Sequence, residues 1–146
     1  MVMRFNAKDL NTDPDTGYWV SRAKAEATLI YNNPRTRKDR TLHDIIETTL
    51  YGHAAEVYLI ENENFTDDLR DFYDIIDPQG VPTEIKVTGN KHYVVYVLKR
   101  ANEAKRRRPN QYANKLMVFI GNKVTCDYHL HNIYYWNEKL QFFTQK

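Results

Sequence analysis

The stretch of sequence that decides the fold is Phe72-Tyr-Asp-Ile-Ile-Asp-Pro-Gln-Gly-Val-Pro-Thr-Glu-Ile-Lys-Val-Thr88. Two runs of alternating apolar residues flank the segment Asp77-Pro78-Gln79-Gly80. Proline at the second and glycine at the fourth position are typical of a tight turn. The pattern therefore predicts a hairpin in which Phe72–Ile76 pairs with Val81–Val87.

The predicted hairpin brings charged side chains together. Asp74 is expected beside Thr83 and Glu84. Because side chains alternate along a strand, Glu84 and Lys86 share one face, while Ile85 points to the other face, toward a core. Two carboxylates and one ammonium group are thus expected within a few ångströms of each other.

This cluster of charges favours a metal site. Neighbouring carboxylates repel each other unless a cation neutralises them. Mg²⁺ commonly takes one or two protein carboxylates together with a substrate phosphate. Lys86 would then orient the attacking water or stabilise charge on the phosphate oxygens. The chemistry implied is phosphodiester hydrolysis. The alternative is a solvated hairpin, since the bare spacing is not specific in a chain with 27% charged residues.

The pattern of Asp74, nine residues and then Glu84-Ile85-Lys86 resembles the core of the PD-(D/E)XK nuclease superfamily, which includes restriction enzymes, junction resolvases and phage nucleases. Many members also carry a glutamate on the preceding helix, and Glu56 matches that position. The resemblance covers roughly residues 41–100. Tyr73 stands where the family often has proline, which leaves Asp77 as a rival metal ligand.

The resemblance implies a restriction-endonuclease-like αβββαβ core, an α/β fold with a mixed central sheet flanked by helices. It implies a Mg²⁺-dependent DNA endonuclease, with Mn²⁺ able to substitute. Asp74, Glu84, Glu56 and the Ile85 carbonyl would hold the metal, and Lys86 would act on the water. One site per chain would cut one strand, so a homodimer is the economical route to double-strand cleavage.

Two basic clusters flank the acidic centre of the chain. They hold ten of the 21 basic residues, and residues 56–84 hold nine of the 19 acidic ones. Such a distribution would let DNA approach a metal-loaded site. Solvated helix ends are the alternative explanation. The predicted DNA-binding residues are Arg35, Arg37, Lys38, Arg40, Lys99, Arg100, Lys105, Arg106, Arg107 and Arg108.

Hydrophobic periodicity and turn signals predict the remaining elements along the chain. Residues 1–17 are polar and predict an N-terminal arm. Tyr93–Leu98 is β-prone, but a stripe of Val94, Val95, Leu98 and Ala101 favours a helix there. The predicted elements are helices over Tyr18–Tyr31, 41–60 and His92–Arg108, a second hairpin of Leu116–Ile120 and Val124–Leu130, and a core-packing aromatic segment over Ile133–Phe143.

Composition predicts one soluble domain spanning residues 1–146. The chain is 42% hydrophobic, with no apolar run long enough to span a membrane. Its start lacks a secretory signal, and Cys126 is its one cysteine, as expected in a reducing cytoplasm. Abundant tyrosine and asparagine suggest an AT-rich phage or mobile element, and hence a host cytoplasm. Two other functions remain open, a non-catalytic nucleic-acid-binding regulator or inhibitor and a small interaction protein.

Overall fold

The computed structural model describes residues 3–10, 18–34, 41–67 and 75–145. Within these ranges three helices and seven strands form. The helices are α1 (Tyr18–Asn32), α2 (Leu42–Asn62) and α3 (Val94–Arg107). The strands are β1 (Arg4–Asn6), β2 (Thr66–Asp67), β3 (Ile75–Ile76), β4 (Pro82–Thr88), β5 (Lys115–Gly121), β6 (Asp127–Asn137) and β7 (Phe142–Gln145).

The strands form one mixed sheet in the order β1-β6-β5-β4-β3-β2, and β7 also pairs with β6. Strands β4 and β5 are parallel, and helix α3 connects them. The other neighbouring strands are antiparallel. The protein is therefore a mixed α/β fold, as predicted.

The elements from α2 to β5 follow one another as a helix, three strands, a helix and a strand. The described part of the predicted hairpin is confirmed, with Ile75 opposite Thr83 and Ile76 opposite Pro82. Residues 72–74 of the predicted first strand lie outside the described residues. Gly80 donates its N–H to the Asp77 carbonyl at 2.9 Å and has a φ of 84°, which glycine adopts without strain. Strand β2 was not among the predicted elements, and it pairs antiparallel with β3.

All three predicted helices are present. Helix α2 begins one residue after Thr41 and continues through Gly52 without interruption. Helix α3 forms although its start is β-prone, and it ends before Pro109, which disfavours a helical conformation in the residue ahead of it. The apolar spacing therefore decided the conformation, and local β propensity did not.

Hydrophobic clusters cover both faces of the sheet. On one face Ile85 and Met117 pack with Ala55 and Leu59 of α2. On the other face a cluster joins Val94 and Ala101 of α3 to Leu116, Val118, Tyr134 and Phe143. Strand β5 is buried on both faces, which explains why its sequence is a continuous apolar run rather than an alternating one.

The N-terminal segment is not simply an arm. Arg4–Asn6 form β1 and pair with residues 127–129 of β6. The Phe5 ring stacks on Tyr58 and Tyr128, with centroid distances of 4.4 and 4.9 Å. Met3 is buried as well. A three-residue strand is too short to show a hydrophobic period, so this pairing could not be read from the sequence. Residues 11–17 of the predicted arm lie outside the described residues.

The second predicted hairpin is confirmed, with a later start for its second strand. Strand β6 begins at Asp127, and Val124, which was predicted to open that strand, lies in the connecting turn and is exposed. Gly121 ends β5 beneath the Tyr128 ring, where a Cβ atom would lie 2.5 Å from the ring carbon Cε1. The aromatic segment after Ile133 continues β6 and then forms β7, with Tyr134 and Phe143 in the core.

No helix among the described residues is both long enough and apolar enough to cross a membrane.

Candidate functional site

Glu84 and Lys86 lie next to each other on β4. The Lys86 Nζ atom is 3.2 Å from Glu84 Oε1, and the side chains are 42% and 13% exposed. The carboxylate is therefore largely shielded, while its ammonium partner reaches solvent. The structure brings these two predicted residues together. The third, Asp74, lies outside the described residues, and so do Arg35, Arg37, Lys38 and Arg40.

The two charged side chains point to the face of the sheet that carries α3. In the parallel pairing of β4 with β5, Glu84 is opposite Leu116 and Lys86 is opposite Val118. Leu116 and Val118 pack with α3. Ile85, between the two charged residues, packs instead with α2 on the other face. Side-chain alternation therefore places Glu84 and Lys86 beside α3.

Glu56 is a correction to the predicted site, because it belongs to α2 on the opposite face of the sheet from Glu84. The Glu56 carboxylate is buried and lies 2.8 Å from His53 Nδ1. His53 Nε2 in turn lies 2.6 Å from a carboxylate oxygen of Glu26 in α1. Glu56 therefore helps join two helices, and the structure does not bring it to Glu84 and Lys86.

His53 is protonated in this arrangement near neutral pH. Burial lowers its pKa, but the hydrogen bonds and negative charges of Glu56 and Glu26 outweigh that effect and raise the pKa to about 9. A charged imidazole between two carboxylates is a favourable ion triad. The triad connects α1 to α2.

Asp77, the rival metal ligand, is hydrogen-bonded within the hairpin turn. Its Oδ1 atom accepts hydrogen bonds from the backbone N–H groups of Gln79 and Val81 at 2.9 and 2.7 Å. Its Oδ2 atom is 2.9 Å from Lys115 Nζ, and both side chains are buried. Burial raises the pKa of Asp77, but these hydrogen bonds and the Lys115 charge lower it below its ordinary value. Asp77 is a structural residue.

Lys105 is a second correction, because it is not available to bind DNA. Its side chain is buried, and Nζ donates to the backbone carbonyls of Pro109 and Tyr112 at 2.6 and 2.8 Å. The helical spacing explains this burial, since Lys105 continues the apolar stripe of Val94 and Ala101. Lys105 therefore holds the segment after α3 against the helix.

The other basic residues predicted on α3 are exposed. Lys99, Arg100, Arg107 and Arg108 face solvent. Arg106 is exposed too, but its Nε donates to the Gln141 carbonyl at 2.9 Å, which fixes part of the guanidinium. Glu103 is the one acidic residue between positions 91 and 108. The outer face of α3 is therefore strongly basic.

Two exposed aromatic residues at the start of α3 were not predicted from the sequence. Tyr93 and Tyr96 are 57% and 62% exposed, and Val95, predicted to face the core, is 70% exposed. A signal for this arrangement was present. If Val94, Leu98 and Ala101 define the buried stripe, the 100° step of a helix places Tyr96 and Arg100 on the opposite side.

The metal-ligand roles of Asp74, Glu84 and Ile85 remain predictions. Ile85 is buried within β4. No group of three or more His, Cys, Asp or Glu side chains suited to a metal occurs among residues 3–10, 18–34, 41–67 and 75–145. The Glu84 carboxylate has hard oxygen atoms, the ligand type that Mg²⁺ prefers, and Mg²⁺ commonly takes only one or two carboxylates from the protein.

Comparison with protein-family models, with curated proteins and with solved structures finds no match to this chain.

Proposed function

We propose that this protein is a metal-dependent DNA endonuclease of the PD-(D/E)XK type, which binds DNA along α3 and hydrolyses it at β4. The observation that carries the proposal is that Glu84 and Lys86 lie on the face of the sheet occupied by the basic helix α3. DNA bound to α3 would lie on the same side of the sheet as the carboxylate and the ammonium group.

The order of elements supports the restriction-endonuclease-like core. The run from α2 through β2, β3 and β4 to α3 and β5 has the αβββαβ order that the resemblance implies. The confirmed turn at Asp77 also gives the hairpin that the D-x₉-E-x-K pattern requires. Glu56 is left out of the proposed metal site because it bonds to His53 on the other face.

The proposed chemistry is hydrolysis of a phosphodiester bond. Glu84, with Asp74 and the Ile85 carbonyl, offers the hard oxygen ligands that suit Mg²⁺ or Mn²⁺, and the bound ion would neutralise phosphate charge. Lys86 would orient a water or donate a hydrogen bond to a phosphate oxygen. A homodimer would present two such sites and so cut both strands.

A specific observation favours a second candidate, a nucleic-acid-binding protein without turnover. The basic surface of α3 needs no metal site in order to bind phosphates. Lys86 already has an ion-pair partner in Glu84. The set of carboxylates proposed to hold the metal is also smaller than predicted, because Glu56 is hydrogen-bonded to His53. This protein would bind DNA on α3 to regulate or inhibit another protein.

One experiment separates the two candidates. The purified protein is incubated with supercoiled plasmid, branched DNA and RNA, in Mg²⁺ and in EDTA. The endonuclease proposal expects DNA to be cut in Mg²⁺ and left intact in EDTA. Binding without cleavage in any divalent metal would favour the second candidate, and cleavage in EDTA would contradict the metal requirement.

A further inference from the structure

Two tyrosines stand exposed at the start of α3. Tyr93 is the residue before the helix, and Tyr96 lies in its first turn. Their ring centroids are 6.4 Å apart, and the ring planes are inclined by 44°. Each ring is more than half exposed. Large aromatic side chains left in solvent as a pair are unusual on a surface that has no partner, because burial of each would be favourable.

The tyrosines lie within a line of positive charge. Lys91 precedes them, and Lys99 and Arg100 follow one helical turn later, all exposed. Residues three and four apart are neighbours on a helix, so Arg100 lies next to Tyr96 on the outer face. The two exposed rings therefore lie between exposed cations at the start of α3. Nucleic acids without a base-paired partner are bound by this combination.

We propose that Tyr93 and Tyr96 stack on unpaired bases, so that the bound substrate contains a single-stranded segment; this inference rests on the proposed binding of DNA to α3. Inside a duplex the faces of the bases are covered by their neighbours. Only a single strand, a flap or an overhang can offer them to a tyrosine ring. The neighbouring Lys99 and Arg100 contact the phosphates of the same strand.

Two large aromatic residues that pack with α3 are not available for this role. Tyr134 and Phe143 are 6% and 5% exposed and pack with α3 in the core. The surface also fits the proposed active site, because Glu84 and Lys86 lie on the same face of the sheet as α3. A strand held by the tyrosines is thus on the side where cleavage is proposed.

The test measures binding of the full-length protein in EDTA, where no cleavage is expected. The probes are a fluorescent oligo-dT strand and a blunt duplex of the same length. The double variant Tyr93→Ala/Tyr96→Ala is compared with Val95→Ala, which removes a neighbouring exposed side chain, and with Tyr93→Phe/Tyr96→Phe, which keeps both rings. All three substituted positions are on the surface, so thermal melting should be unchanged.

Stacking predicts that the double alanine variant loses affinity for the single strand by about tenfold per ring, while the phenylalanine variant and Val95→Ala keep theirs. Duplex affinity should change little. Equal losses for both probes, or no loss for the single strand, would overturn the inference, and so would a failure of the wild-type protein to bind oligo-dT. The proposed endonuclease is judged separately by cleavage in Mg²⁺, so a protein that stacks bases without cutting refutes only that proposal.

Discussion

At the scale of single residues, burial gives two charged side chains a structural role. Lys105 was predicted to bind DNA and Asp77 was a rival metal ligand, yet both side chains are buried and hydrogen-bonded. For Lys105, the helical spacing from Val94 and Ala101 already indicates a buried position. For Asp77, no local pattern indicates burial, since its partner Lys115 lies 38 positions along the chain. Pairings at such a separation depend on the tertiary fold, which residue type alone does not specify.

The Asp77–Lys115 pair predicts that Asp77→Ala is strongly destabilising. The change leaves the buried Lys115 ammonium uncompensated and removes the acceptor of two turn N–H groups, which together cost about 3–5 kcal/mol. Chemical denaturation measures the loss. Glu61→Gln, at an exposed acid on α2, is the matched control and should change stability by less than about 0.5 kcal/mol. Wild-type stability of Asp77→Ala would show that the pair is not formed.

The His53 triad predicts a loss of stability as the solution becomes alkaline. The folded-state pKa of about 9 lies above the ordinary value of 6.5. The stabilisation is therefore complete below pH 6.5 and disappears as pH rises through 9, with an upper limit on the order of 3 kcal/mol. Unfolding free energies at pH 6 and pH 9.5 should differ more for wild type than for His53→Gln. The same difference in both proteins would contradict the assignment.

At the scale of secondary-structure elements, the elements with local signals were predicted and those without them were not. The turn at Asp77–Gly80 and the period of α3 lie within short stretches of sequence, and both are confirmed. Strand β1 was missed because it pairs with residues 127–129, far along the chain. The β6–β7 hairpin is local, but its turn Glu138–Gln141 carries no proline or glycine to signal it, and it was missed as well. The position of Glu56 also escaped prediction, because it depends on which face of the sheet α2 covers.

The surface of α3 makes the next prediction. Arg100→Ala/Arg107→Ala should weaken DNA binding and reduce the slope of log affinity against log salt by about 0.7–0.9 for each lost phosphate contact. Glu103→Gln should have the opposite effect on affinity, because it removes the one acidic residue on that basic face. Salt titrations of binding in EDTA measure both effects.

Lys8→Ala is the control for these variants. It removes one exposed positive charge from the turn after β1, and the neighbouring Leu10 packs with α2 residues. Its salt slope should equal that of the wild type. If Lys8→Ala lowers affinity as much per removed charge as the arginine double variant does, binding follows total charge and α3 is not the interface.

At the scale of the whole molecule, the sheet separates two sets of charges. The triad of Glu26, His53 and Glu56 lies with α1 and α2, whereas Glu84 and Lys86 lie on the face of α3. The mixed α/β class was predicted, since it follows from successive local patterns, whereas the αβββαβ order was an implication of the family resemblance. The division of the acidic residues between two faces was not predicted, because it arises only when helices pack on a sheet. This division assigns a structural role to Glu56 and leaves Glu84 for the proposed chemistry.

The most direct test of the central claim is a comparison of plasmid cleavage by Glu84→Gln and Glu56→Gln in Mg²⁺, at a temperature where both variants are folded. We expect Glu84→Gln to lose cleavage by a factor of about 100 or more, because a ligand of the metal is weakened, while Glu56→Gln cuts at nearly the wild-type rate and is only less stable. Binding in Ca²⁺ should persist in both variants. Wild-type cleavage by Glu84→Gln would contradict the account.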